Sequence, residues 1–78
     1  MLTLFCNPLC GHARVVIARL LASGLPYEQR DLRDPELAME VVHRYHILES
    51  PVLVVGTEIA VGMVQILEKL DMIDHTSL

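Results

Sequence analysis

The run Cys6-Asn7-Pro8-Leu9-Cys10-Gly11-His12-Ala13-Arg14 brings both cysteines of the chain together with a histidine and an arginine. Asn7-Pro8 is a turn dipeptide. Beyond it, Ala13, Val16, Ile17, Leu20 and Leu21 recur at i, i+3, i+4, i+7 and i+8, the stripe of a helix over about Gly11 to Ser23. Cys10 therefore stands at a helix start. There unpaired backbone N–H groups and the positive end of the helix dipole favour thiolate over thiol. Gly11 removes a side chain beside that sulfur and leaves room for another chain or a small thiol. His12 is placed to act as an acid toward a leaving thiol, and Arg14 to hold a thiolate or carboxylate. Cys6 has two readings. It is a buried thiol at the end of the first strand, or it is a second reacting thiol, which requires Cα atoms no more than about 7 Å apart. Cys6, Cys10 and His12 also invite a metal reading, and His43-x-x-His46 adds two imidazoles. The cysteine spacing is not that of a zinc knuckle, and those histidines fall on a different helix, so no metal site is expected.

The remaining elements have to position this run. Leu2 to Cys6 is short, apolar and β-compatible. Gly24 ends the first helix, and Pro26 follows it. Tyr27 to Leu32 reads as a strand polar enough to sit at a sheet edge. Asp34-Pro35 is an N-cap followed by the residue suited to a first helical position, and the helix runs to about Tyr45 with Leu37, Val41 and Tyr45 on one face. Val52 to Val55 and Glu58 to Val61 form a hairpin about Gly56-Thr57. After Gly62 a last helical stripe consists of Met63, Ile66, Leu67, Leu70 and Ile73, and residues 75–78 are expected to be a loose tail. The order β-α-β-α-β-β-α predicts an α/β fold: a four-stranded mixed sheet flanked by three helices, in one domain over residues 1–74.

Composition narrows the function. The chain has 78 residues, 53% of them apolar, which is one core's worth of burial. Two cysteines four positions apart cannot staple a fold, so it holds together by burial. A net charge of −4 with no basic cluster argues against nucleic acid. No apolar run approaches a membrane span, and the first residues lack the basic start of a secretory signal. A reducing cytoplasm is the expected compartment, where a cysteine is more often catalytic or metal-binding than structural.

The element order, the thiol at the start of the first helix and an X-Pro ahead of the third strand together resemble the glutaredoxins, the minimal thioredoxin-like fold. The likeness runs from Phe5 through Gly62. Pro8-Leu9-Cys10-Gly11-His12-Ala13-Arg14 is similar to the monothiol segment Pro-x-Cys-Gly-Phe-Ser-Arg, Glu49-Ser50-Pro51 to Thr-Val-cisPro, and Val61-Gly62 to Gly-Gly. The resemblance implies a thiol–disulfide oxidoreductase, active in cell redox homeostasis and electron transfer, with Cys10 as nucleophile through a mixed disulfide. It implies resolution by glutathione or by Cys6, and a cis Ser50–Pro51 bond that turns Ser50 toward Cys10. It places Gly11, His12, Arg14, Ser50, Pro51 and Gly62 in the substrate site. The partner is a disulfide-containing protein or glutathione as co-substrate, and the protein is expected to be a monomer without a resident cofactor.

Departures from the pattern are specific. Ala13 stands where dithiol members have their second cysteine. Asn7 stands at the glutathione-binding lysine, and Val64 or Gln65 at the acidic residue after Gly-Gly. The aromatic-proline insert of iron–sulfur members is missing before Pro51, so a glutathione-ligated cluster is not favoured. The other class compatible with these losses is a non-catalytic binding module on the same fold.

Overall fold

A computed structural model describes residues 2–76, with side chains through residue 73. Its elements are β1 (Leu2–Cys6), α1 (Gly11–Ser23), β2 (Tyr27–Asp31), α2 (Pro35–Tyr45), β3 (Val52–Val55), β4 (Glu58–Val61) and α3 (Met63–Thr76). They form one four-stranded sheet in the order β2-β1-β3-β4, with β2 parallel to β1 and the hairpin antiparallel to it. The mixed sheet, the three helices and the element order agree with the sequence reading.

Local chemistry accounts for the boundaries. α1 stops because Gly24 takes a left-handed conformation, φ 69°, and its N–H donates to the Leu21 carbonyl. α2 starts on Asp34, whose carboxylate accepts from the Glu36 N–H at 3.0 Å, with Pro35 next in the chain. α3 carries on through His75 and Thr76, past the boundary at residue 74, since no glycine or proline follows Gly62 to stop it. The remainder of the expected tail, residues 77–78, lies outside the described residues.

Alternation along β1 divides the core between two faces. Leu2, Leu4 and Cys6 join Ala13, Val16 and Leu20 of α1 and Ile66 and Leu70 of α3 in the larger cluster. Phe5 points the other way and meets Val41 of α2 and Val52 in a smaller one. Tyr45 packs on Phe5 with ring centroids 6.1 Å apart. An ion pair between Arg19 and Asp71, 3.1 Å, links α1 to α3 across their exposed rims. Leu21, counted on the α1 stripe from its spacing, is 68% exposed. The buried face of α1 is narrower than the stripe and uses Ala13, Val16 and Leu20.

The register brings four chain segments to one end of the sheet. Cys6, the last residue of β1, is opposite Asp31, the last of β2. Phe5 is opposite Val52, the first of β3, and Val52 is opposite Val61, the last of β4. The Asn7–Cys10 turn, the residues after Asp31, Ser50-Pro51 and Gly62 therefore all emerge together.

Candidate active site

Two hydrogen bonds to the same residue shape the turn that carries Cys10. The Asn7 carbonyl accepts from the Cys10 N–H, and its side-chain Oδ1 accepts from the Leu9 N–H, both at 3.0 Å. This Asx turn delivers Cys10 to the N-cap position of α1 in an extended conformation, φ −74° and ψ 137°. Its carbonyl accepts the first helical bond, from the Arg14 N–H at 3.1 Å. Its thiol makes no capping bond to the helix. Cys10 is half-buried, packed against the larger core cluster, and is a free thiol. A Cβ built on Gly11 would meet nothing within 4 Å, so the space beside Cys10 is open.

Cys6 is also free, but in a different setting. It is fully buried, and its backbone carbonyl accepts from the Leu32 N–H at 2.9 Å. Burial pushes its thiol above the ordinary range, and the nearby Asp31 carboxylate and Cys10 add to the same effect. These are the surroundings of a core thiol, the first of the two readings open from sequence.

The Ser50–Pro51 peptide bond is cis. Pro51 is buried and its carbonyl accepts from the Gly62 N–H at 2.8 Å, which joins the two loops at this end of the sheet. Gly62 sits at φ 84°, where a side chain would be strained. Ser50 is exposed, and among the described residues it has no hydrogen-bond partner. His12 and Arg14 are both exposed on the first turn of α1. The six residues expected in the substrate site thus lie on segments at the same end of the sheet as Cys10.

Positions where the resembling family has charge are otherwise occupied. Asn7 commits its side chain to the turn. The Gln65 Oε1 accepts from the Val61 N–H at 3.0 Å, which ties the start of α3 to the end of β4, and Val64 is 62% exposed. Among the described residues, no group of three or more His, Cys, Asp or Glu side chains is placed to hold a metal ion. No helix among them is long and apolar enough to cross a membrane.

Two features at this end were not read from the sequence. Asp31 and Arg33 form a two-pronged ion pair, 2.6 Å at its closest, and the Asp31 carboxylate also accepts from the Arg33 N–H at 2.8 Å. Side-chain and backbone bonds from Arg33 hold the Asp31 carboxyl below the usual carboxylate range. The Asp-x-Arg spacing in a turn after a strand was the available signal. The second feature is a groove of about 160 Å³ between α2 and the 47–50 segment, lined by Leu32, Ala38, Val41, Val42, residues 47–49 and Ser50. Its walls come from three separate stretches of chain, so no local pattern announces it.

No family model matches the chain, and neither does any curated protein. Solved structures do resemble it. The thioredoxin-like protein BC3987 superimposes with a TM-score of 0.80 at 22% identity, over 92% of this chain and 97% of that one. A point mutant of the same protein gives the same score and identity, over 92% of this chain and 96% of that one. The holo form of glutaredoxin C1 from Populus tremula x tremuloides superimposes with a TM-score of 0.75 at 19% identity, over 94% of this chain and 69% of that one. These likenesses show the fold, which is thioredoxin-like.

Proposed function

We propose that this thioredoxin-fold chain is a glutaredoxin-like thiol–disulfide oxidoreductase with Cys10 as its single nucleophile. The observation that carries this reading is the half-buried free thiol at the N-cap of α1, beside the open space at Gly11. A sulfur there lies at the unpaired N–H groups and positive dipole end of the helix. The Cys10 thiolate attacks one sulfur of a disulfide, a bond forms between them, and the other sulfur leaves as a thiolate and takes up a proton. An external low-molecular-weight thiol such as glutathione then attacks the mixed disulfide and returns Cys10 to its thiolate. Cys6 does not take part, because burial disfavours the charged form it would need. A reducing compartment keeps Cys10 in the thiol state from which the cycle starts.

The test is single-turnover chemistry followed by intact mass. Reduced protein is mixed with hydroxyethyl disulfide, and the adduct is located by peptide mapping. A single adduct at Cys10 is expected, retained in Cys6→Ala, absent in Cys10→Ser, and removed by glutathione. Absence of an adduct from the wild-type protein, or an adduct at Cys6 in Cys10→Ser, overturns the reading. α1 contains no cysteine, and Ala13, three residues after Cys10, packs into the core, so the helix offers no second thiol. That observation favours the binding-module alternative if Cys10 proves inert.

A further inference from the structure

The oxidoreductase reading leaves the substrate class open, and the surface around Cys10 bears on it. Leu9, the residue before Cys10, is 63% exposed, and Val64, two residues after Gly62, is 62% exposed. Leu48 is 87% exposed at the mouth of the groove beside α2. Exposed apolar side chains are ordinary one at a time; grouped at one end of a sheet they mark a surface that something covers. Ser50 belongs both to the groove wall and to the Ser50-Pro51 segment at the Cys10 end, so the groove reaches the segment that faces the site.

Size and charge then select the occupant. A volume of about 160 Å³ is on the scale of a cavity that takes up one benzene-sized group, such as a leucine or phenylalanine side chain. Glu49 is the one ionisable residue in its lining. Glutathione carries two carboxylates and one ammonium, and it would meet an acid there. Elsewhere at this end Arg33 is already engaged by Asp31, and Arg14 lies exposed on the first turn of α1. The unpaired Ser50 backbone offers an extended polypeptide its hydrogen bonds.

Resting on the oxidoreductase reading, we infer that the preferred substrate of Cys10 is a polypeptide disulfide whose cysteine is flanked by an apolar residue, that side chain seating in the groove of Val41, Val42, Leu48 and Ser50. Recognition is then by one buried anchor and a backbone pairing, and glutathione serves only as the external reductant.

Three mixed disulfides with the same leaving group, 2-nitro-5-thiobenzoate, test this by the absorbance of the released thiolate. One carries a cysteine hexapeptide with flanking leucines, one carries glutathione and one carries mercaptoethanol. The apolar peptide is expected to react roughly tenfold or more faster than glutathione, the scale of discrimination a single apolar pocket gives. Leu48→Glu and Val42→Glu, both at exposed positions, are expected to remove most of that preference by bringing the peptide rate down toward that of mercaptoethanol. Glutathione reacting as fast as the peptide, or a preference that survives both substitutions, overturns the inference while the oxidoreductase reading stands. Failure of all three probes to react overturns the oxidoreductase reading itself. A dimer in sedimentation that Leu48→Glu dissolves, with peptide rates unmoved, assigns the groove to a second copy and also overturns the inference.

Discussion

The two faces of the sheet are built to different specifications. Among the described residues, the face covered by α1 and α3 buries ten in one cluster, including Leu4, Val16, Leu20, Leu53, Ile66 and Leu70. The face covered by α2 buries three, Phe5, Val41 and Val52, and leaves a groove open beside them. One helix cannot close a surface that two helices close on the other side. The difference assigns stability mainly to one face and leaves the other free to bind.

Core truncation is the sharpest way to break that contrast. Leu20→Ala on the two-helix face is expected to cost about 3 kcal/mol in urea unfolding, lost burial and a dry cavity together. Val41→Ala on the α2 face is expected to cost about 1.6 kcal/mol, two methyl groups' burial, because the space it leaves opens into the groove. Equal losses would mean that the two faces carry the fold alike.

The helix starts sharpen the contrast next. Asp34 caps α2 with its side chain, whereas the Cys10 thiol leaves α1 uncapped. Asp34→Ala should lower stability by about 1 kcal/mol. Cys10→Ser should raise it by roughly 0.5–1 kcal/mol while ending the proposed exchange chemistry, since serine is a strong N-cap residue. A Cys10→Ser protein no more stable than wild type would show that α1 has no need of a cap.

The smallest effect is a pH slope set by Cys6 on the two-helix face. Its folded thiol is raised above the ordinary value by burial, so on raising the pH the unfolded chain gives up that proton first. Stability is then full below the unfolded thiol range of about 8.5 and falls as pH rises toward the raised folded value. Unfolding midpoints at pH 7.5 and 9.5 should show a loss in wild type that is smaller in Cys6→Ala. Identical losses in both proteins would remove Cys6 as the cause.

Local signals in the sequence carried far. Asp34-Pro35, Gly24 and Gly56-Thr57 are capping and turn chemistry that acts over a few residues, and each stands where it was expected. Cys10 and Pro51 were legible for the same reason. What stayed hidden depends on which surfaces meet. Leu21 has the spacing of a core residue, but the buried face of α1 takes in only part of its stripe. Leu37 and Tyr45 share the periodicity of Val41 and are only half-buried, because a single helix leaves its flanks uncovered on both sides. The groove requires Leu32, Val42 and Leu48 to converge, and no window of sequence contains that convergence.

At one of the two edges of the sheet, β2 reads Tyr27-Glu28-Gln29-Arg30-Asp31. Arg30 pairs with Glu28 at 3.1 Å and with Glu40 of α2 at 3.7 Å. A strand from another molecule docking there would have to strip water from this row of charges. The polar strand thus guards its edge against runaway strand-by-strand growth. Replacing its charges with valine would convert the border of the sheet into a seam.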